Sequence, residues 1–228
     1  MFLVIVVALI VVGCQAQEAP PQGSQPRAPD NQVNVNWLYG SYIPKDVPRE
    51  PLSARDRLRL YVRQTYITPG IYAKTALFAV SDQINERNPQ WGDGFGGFAK
   101  RFGDRQAQFV LQNSFSSLGN GLVGWEPRYD RCSCDGFWQR TRYAVIRNFV
   151  TYDHSENSLR PQIMPYLGAF GASAIATTWQ PGNPSWQIKG YQAAITQVFI
   201  GSGINWLSEF APDIGRILHL QKQKKGGP

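Results

Sequence analysis

Histidine and recognisable catalytic motifs are scarce in this 228-residue sequence, in which His154 and His219 are the only histidines. No H-E-x-x-H, G-x-S-x-G, Walker A or C-x-x-C-H pattern occurs in it. These absences exclude the usual signatures of zinc hydrolases, serine hydrolases, nucleotide hydrolases and c-type haem proteins. The sequence therefore predicts no cofactor and no metal site.

Long blocks of a single charge are also missing, although the formal net charge is +7. Arms that bind nucleic acid carry extended runs of Lys and Arg, whereas the basic tail here is only the short QKQKKGGP of residues 221–228. We therefore predict no nucleic-acid partner, and we expect the tail to be disordered.

The N-terminus carries an uncharged run, MFLVIVVALIVV. A bilayer-spanning helix needs about 20 apolar residues, so this length is more typical of a secretory signal. Val11-Val12-Gly13-Cys14 resembles a bacterial lipobox, which predicts cleavage before Cys14 and lipidation of its thiol. The alternatives are cleavage after Ala16 and a retained N-terminal anchor. Both signal patterns expect a Lys or Arg before the apolar run, and this sequence has none there. Residues 1–16 are thus assigned as a signal or lipoprotein segment of an exported protein.

The cysteine count agrees with export. Three cysteines are an odd number for an oxidising compartment, but lipidation or removal of Cys14 leaves the pair Cys132 and Cys134. A loop disulfide, two free thiols, an intermolecular bridge and metal or redox chemistry all stay open for this pair.

Composition and periodicity divide the rest of the chain. Residues 17–50 are rich in Pro, Gln and Asn, which predicts a disordered tether. Residues 51–220 show helical spacing of apolar residues, with Ser53 as an N-cap and breakers at Pro69, Pro89 and Pro165. We predict an all-α domain, a single bundle of about six helices, the last broken near Pro212.

The segment GDGFGG at residues 92–97 matches the G-x-G-x-x-G pattern of dinucleotide-binding loops. That loop functions between a strand and a helix, whereas a predicted helix precedes it here. We interpret the glycines as a turn followed by a close helix contact.

Small residues recur on the predicted helices and indicate tightly packed helix faces. These positions are Gly96, Gly97, Gly103, Gly168, Ala172, Ala176, Ala193 and Gly201. The stretches 108–125, 162–188 and 190–208 contain no charged residue. Two interpretations remain: buried central helices of a soluble domain, which the mean hydropathy of −0.32 favours, or insertion into a membrane.

Arginines form two candidate anion-binding or lipid-binding groups. Arg55, Arg59 and Arg63 stand four residues apart on the first helix, while Arg140, Arg142 and Arg147 are interleaved with aromatic residues. Guanidinium groups suit lipid phosphate, but solvated faces, internal ion pairs and cation–π contacts explain the same patterns.

Asp153-His154-Ser155-Glu156 combines an acid, a base and a hydroxyl. We interpret it as a polar turn between helices, since catalytic triads are assembled from distant segments.

Four segments together resemble an uncharacterised family of exported, Gly-rich helical acidobacterial proteins: GFGGFAKRFGDR, EPRYDR, GFWQRTRYAVIR and FAPDIGRIL. The matching positions are Gly97, Lys100, Arg101, Gly103, Pro127, Arg128, Tyr129, Phe137, Trp138, Arg140, Thr141, Tyr143, Ala144, Pro212, Asp213 and Ile214. The resemblance covers about residues 55–218. It departs from the pattern at Cys132-Ser133-Cys134, where a Gly-rich linker is more usual. The family has no known activity, so the resemblance implies no chemistry.

Together these features predict a non-enzymatic envelope protein, lipid-anchored or membrane-associated, with a structural or assembly role. Its predicted location is the outer membrane, which Gln15 after Cys14 favours, or the periplasm. Its predicted partners are membrane lipid and other envelope proteins. One alternative is an envelope enzyme acting on lipid or glycan through acids such as Asp104, Asp130, Asp153 or Glu156. Another is a subunit that binds a hydrophobic ligand.

Overall fold

Six α-helices make up most of the computed structural model, which describes residues 35–45, 47–156 and 158–217. The predicted signal segment with Cys14, residues 17–34 of the predicted tether and the basic tail lie outside these ranges. The expectation of a mostly helical domain with about six helices is confirmed. The helices are α1 (Ala54–Val62), α2 (Pro69–Ile84), α3 (Gly94–Leu122), α4 (Phe137–Ile146), α5 (Met164–Ala176) and α6 (Trp186–Ile217).

Local signals in the sequence place most helix starts. The Ser53 hydroxyl accepts a hydrogen bond from the Asp56 backbone N–H at 3.2 Å, as expected of an N-cap. Pro69 begins α2 and Pro165 lies in the first turn of α5, where a missing N–H costs nothing. A π-helical turn, Arg63–Ile67, joins α1 to α2.

Five short strands accompany the helices, and an all-α assignment misses them. They are β1 (Val35–Asn36), β2 (Gly40–Ile43), β3 (Tyr129–Asp130), β4 (Val150–Asp153) and β5 (Ser158–Pro161). Strand β2 pairs antiparallel with β1 and parallel with β3, while β4 and β5 form a hairpin. The prediction of a disordered tether is therefore wrong for residues 35–43, because Ser41 and Ile43 are buried in the domain.

Helices α2, α3, α5 and α6 pack side by side in that order, and α4 lies against α6. Gly168 permits the close approach of α5 to α3, because a Cβ at this position would lie 2.8 Å from the Gln112 carbonyl oxygen. Ala172 and Ala176, one and two turns further on, are buried. At Gly201 a Cβ would overlap the Asn148 side chain. Gly168 therefore lies at a close helix contact, whereas Gly201 accommodates a side chain from the loop after α4.

The GDGFGG segment is a turn leading into α3. Gly92 and Gly94 adopt φ values of 74° and 68°, which favour glycine, and a Cβ on Gly97 would overlap the Gly92 carbonyl. The Arg101 guanidinium donates to the Gly92 and Arg87 carbonyl oxygens at 2.8 and 3.0 Å.

Two packing positions in the same region were predicted wrongly. Added Cβ atoms on Gly96 and Gly103 would meet no atom within 4 Å among the described residues. Both glycines lie on α3 away from its neighbours, so their spacing does not reflect a helix contact.

Helix α6 continues through Pro212 and does not break there, contrary to expectation. A proline inside a helix leaves the carbonyl four residues earlier without its N–H donor. That carbonyl belongs to Ser208, and the Arg131 side chain donates to it at 2.9 Å. Arg140 donates to the next carbonyl, that of Glu209, at 2.6 Å. The Arg131 side chain therefore replaces the one donor that Pro212 lacks.

Candidate functional site

Burial is inverted relative to an ordinary globular domain. Among the described residues, eighteen polar or charged side chains are buried, against twelve apolar ones. The buried apolar cluster is confined to Leu52 and Leu60 with Val35 packed on it. Polar residues are normally the exposed ones, so this interior calls for a specific explanation.

A cavity of about 600 Å³, partly open to solvent, lies between the helices that carry these residues. Helices α2, α3, α5 and α6 form its walls, and the segment around β3 and residues 35–41 completes it. Amide side chains line the cavity beside a similar number of apolar ones. The amides are those of Asn36, Gln64, Asn88, Gln108, Gln112, Asn113, Asn120, Asn148, Gln162, Gln180, Gln192, Gln197 and Asn205. Hydroxyl groups of Ser and Thr residues from α2, α3, α5 and α6 lie between them.

Hydrogen bonds between helices order this lining. The Gln112 amide on α3 donates to the Gln197 side-chain carbonyl on α6 at 2.8 Å. Asp104 on α3 accepts a hydrogen bond from the Trp179 indole at 2.8 Å. The Gln180 side-chain amide donates to both carboxylate oxygens of Asp104, at 3.0 and 3.1 Å. These bonds fix the positions of the polar groups that face the cavity.

One wall of the cavity contains a fully buried ion pair. Arg128 donates to both carboxylate oxygens of Glu126, at 2.7 and 2.8 Å, and its backbone N–H donates at 3.0 Å. His154 lies 2.8 Å from the same carboxylate. Burial alone would raise the pKa of Glu126, but the hydrogen bonds from Arg128 and His154 outweigh it and lower the pKa to about 2. Glu126 is therefore ionised at neutral pH and does not serve as a proton donor there.

Other charged residues near the cavity are paired in the same way. Asp82 on α2 accepts two hydrogen bonds from Arg105 on α3, at 2.5 and 2.7 Å. Arg147 binds the Asp130 carboxylate from β3 at 2.6 Å, and the Tyr143 hydroxyl donates to it at 2.7 Å. Burial and the Asp130 charge raise the pKa of Tyr143 above its usual range. The charges of Asp82, Glu126 and Asp130 are thus balanced by arginine partners.

A second charged cluster links α6 to β3 and α4. The Glu209 carboxylate accepts from the Tyr129 hydroxyl at 2.8 Å, the Cys132 backbone N–H at 3.0 Å and Arg140 at 2.9 Å. Arg140 also donates to Asp213 at 2.7 Å. Burial, reinforced by the Glu209 charge, raises the pKa of Tyr129. Cys132 and Cys134 form a disulfide directly beside this cluster.

The outward faces of the same four helices are apolar. Helix α6 exposes Ile188, Tyr191, Ile195 and Phe199, with Phe199 73% exposed. Leu77, Val80 and Ile84 are exposed on α2, Phe115, Leu118 and Leu122 on α3, and Ile163 and Leu167 just before and on α5. The spacing of three and four residues places each set on one face. We call these residues the outer apolar stripes.

The predicted anion-binding arginines lie in different environments in the structure. For Arg140 and Arg147 the alternative of internal ion pairs applies and the possible lipid contact does not, because their guanidinium groups bind Glu209, Asp213 and Asp130 within the domain. Arg55, Arg63 and Arg142 are exposed and Arg59 is half-buried. Arg59 and Arg63 also take part in interactions within the protein.

Ala193, predicted as a helix-packing position, lines the cavity.

Residues 153–156 form the turn of the β4–β5 hairpin and do not connect two helices. The Ser155 backbone and hydroxyl donate to Asp153 at 2.9 and 2.6 Å, while Glu156 pairs with Arg160. His154 reaches Glu126 instead of these neighbours. The acid, base and hydroxyl therefore do not converge on a common point.

Sequence reasoning missed Glu126 and Glu209, the two buried acids on which these clusters depend. A usable signal existed for each, since Glu126 directly follows the uncharged stretch 108–125 and Glu209 directly follows 190–208. Glutamate is almost never fully buried unless it is paired, so a glutamate that closes a long uncharged stretch is a candidate for a buried ion pair. No helix in the described ranges is long and apolar enough to span a bilayer, and no group of three or more potential metal ligands occurs there.

Comparison with family models, with curated proteins and with solved structures gives no match for this chain. The resemblance to exported acidobacterial proteins therefore stays a prediction.

Proposed function

We propose that this protein is a non-enzymatic component of a bacterial cell envelope whose helical domain rests against membrane lipid through the outer apolar stripes. The supporting observation is the inversion of the domain, with paired charges and amides inside and large apolar side chains outside. Monomeric soluble proteins rarely expose extensive apolar surface, and such surface marks a membrane or protein contact.

Moving the outer apolar stripes from water into lipid is favourable, and the gain in free energy can be estimated. Burying one side chain of the size of Leu, Ile or Phe contributes about 1.5–3 kcal/mol. Ile195 and Phe199 alone, both more than half exposed, would therefore contribute about 2–4 kcal/mol to membrane affinity. In this proposal the lipidated Cys14 would provide a second attachment, and stable anchoring to a membrane takes more than one signal.

A non-enzymatic role is supported by the state of the candidate acids. Asp130 is held by Arg147, and Asp104 by amide and indole donors. Asp153 is bound by Ser155, and Glu156 is on the surface with Arg160. Each acid has a hydrogen-bonding partner within the fold, and the four are spread over α3, β3 and the β4–β5 turn.

Vesicle flotation of purified variants tests the proposal. Cys14→Ala, checked by intact mass, should still float with vesicles through the helical domain. Adding Ile195→Glu and Phe199→Glu should reduce the bound fraction at least tenfold, since the lost burial exceeds about 1.4 kcal/mol. The matched control adds Ser185→Glu and Gln187→Glu, two exposed polar positions near the start of the same helix. Flotation that is equal in both glutamate variants, or absent in Cys14→Ala itself, would refute the proposed lipid contact.

A further inference from the structure

The Cys132–Cys134 disulfide joins two cysteines that a single residue separates, so it closes a loop of only three residues. In the chain-entropy account, a disulfide stabilises a fold by restricting the unfolded chain, and the effect grows with the length of the loop that it closes. A loop this short restricts the unfolded chain very little. Stabilisation of the domain is therefore a weak explanation for the bond.

Hydrogen bonds outside the loop already hold the backbone on which the disulfide lies. The Arg131 backbone N–H donates to the Ile43 carbonyl oxygen of β2 at 3.2 Å, and the Arg131 side chain donates to the Ser208 carbonyl oxygen on α6 at 2.9 Å. The Cys132 backbone N–H donates to the Glu209 carboxylate at 3.0 Å. Because these bonds do not depend on the S–S bond, we expect the segment after β3 to keep its place when the disulfide opens.

The two sulfur atoms lie in different environments. Cys132 is buried, with 7% of its surface exposed, whereas Cys134 is half-buried and Ser133 between them is exposed. The rate of thiol–disulfide exchange depends on access to the sulfur that is attacked. An incoming thiolate therefore reaches the Sγ atom of Cys134 more readily than that of Cys132.

The buried sulfur has a hydrogen-bond donor that suits it to leave as a thiolate. The Cys134 backbone N–H donates to Cys132 Sγ at 3.1 Å, and a hydrogen bond to the charged form of a group favours that form. The Glu209 carboxylate opposes a second negative charge here, but Arg140 binds it at 2.9 Å and balances its charge. The exposed sulfur is thus the one to be attacked, and the buried sulfur is the leaving group.

We propose that Cys132 and Cys134 form a thiol-exchange site, at which an external thiol reversibly reduces the disulfide. The incoming thiolate sulfur forms a bond to Cys134 Sγ, the bond between the two Sγ atoms breaks, and its electron pair passes to Cys132 Sγ. A second thiolate then attacks the incoming sulfur and releases Cys134 as a thiolate. Two external thiols are oxidised to one disulfide, and their two protons end on the cysteine thiols.

Glutathione tests the exchange on the full chain carrying Cys14→Ala, in which Cys132 and Cys134 are the remaining cysteines. The oxidised chain is incubated in detergent micelles with millimolar glutathione and no denaturant, quenched with acid and analysed by peptide mass. We expect most chains to be reduced with unchanged far-UV circular dichroism, and the transient glutathione adduct to lie on Cys134. A dithiol protein of the thioredoxin class at the same thiol concentration identifies the source, since the faster reductant indicates a protein thiol or a small one.

Three variants of this chain test the assigned roles of the two sulfurs. Cys132→Ser, which leaves Cys134 free, should react with oxidised glutathione at least about tenfold faster than Cys134→Ser, which leaves the buried thiol. Ser133→Ala is the matched control, because it alters the exposed residue between the cysteines and keeps both sulfurs. Its disulfide should be reduced at an unchanged rate.

Three results would overturn the proposal. The first is a disulfide that resists both reductants until urea unfolds the chain, and the second is reduction that abolishes the helical signal; either would make the bond a structural cross-link. The third is an adduct on Cys132, or equal rates for Cys132→Ser and Cys134→Ser, which would contradict the assigned direction of attack. The adduct is mapped on a chain that keeps both cysteines, so this test stands even if a single-cysteine variant does not fold. None of these results bears on vesicle flotation, so this proposal and the proposed function fail separately.

Discussion

Replacing Glu126 with Gln removes one half of the buried ion pair that forms a wall of the cavity. The carboxylate and the Arg128 guanidinium are both fully shielded from solvent, so the change removes the buried carboxylate that binds the guanidinium through two hydrogen bonds. Arg128 keeps its bond to the Glu50 carbonyl at 2.8 Å, but a neutral amide does not balance its charge. Breaking a buried pair in this way typically costs about 3–5 kcal/mol.

The pKa of Glu126 leads to a similar magnitude. Its pKa falls from an ordinary value of 4.5 to about 2 in the folded protein, and each pH unit corresponds to about 1.4 kcal/mol. The pair therefore contributes about 3 kcal/mol to the free energy of unfolding at neutral pH. Because the folded pKa is the lower one, this contribution is present above about pH 4.5 and is lost as the pH falls towards 2.

Urea unfolding, followed by far-UV circular dichroism, measures both quantities. At pH 7 we expect Glu126→Gln to lower the free energy of unfolding by about 3 kcal/mol, and the difference from the unaltered protein should shrink as the pH falls below 4.5. Glu156→Gln is the matched control, because its ion pair with Arg160 is exposed and should contribute less than about 1 kcal/mol. Equal free energies of unfolding for the two variants at pH 7 would refute this reasoning, as would a pH-independent difference.

Three further predictions use the same assay. Gly97→Ala should lower the free energy of unfolding by about 1–3 kcal/mol, because its Cβ overlaps the Gly92 carbonyl; a neutral result would mean that the turn before α3 shifts freely. Gly103→Ala, whose Cβ meets open space on the same helix, should instead raise it by up to about 1 kcal/mol through helix propensity, and a loss would show an unseen contact. Ser53→Ala should cost about 1 kcal/mol through the lost N-cap of α1, and Ser133→Ala, exposed in a loop, should cost nothing measurable.

The helices were predictable because their signals are local. Ser53, Pro69 and Pro165 act through their own backbone geometry, so their effect is readable without knowing what surrounds them. The Gly168, Ala172 and Ala176 series was readable for a similar reason, since a four-residue spacing defines a helix face.

The strands and the interior depend on distant residues, which spacing does not reveal. Strand β2 pairs with β3 across more than 80 residues of chain, and strands of two to four residues show no alternation. Continuation of α6 through Pro212 depends on Arg131, far from it in the sequence. The sequence also does not show which face of each helix lies towards the interior, because an amphipathic pattern defines two faces without showing which one faces inward.

Site-directed spin labelling measures which face of α6 contacts lipid, and the proposed function depends on that orientation. Single nitroxide labels at Ile195→Cys and Gln197→Cys, in a Cys14→Ala chain bound to vesicles, report the collision rates with oxygen and with an aqueous nickel chelate. The proposed lipid contact predicts that oxygen, which concentrates in lipid, relaxes the label at position 195 more than the nickel chelate does. At position 197, on the cavity lining, oxygen should lose this advantage. A label at position 195 as open to the nickel chelate as one at the exposed Ser185→Cys would contradict the lipid contact.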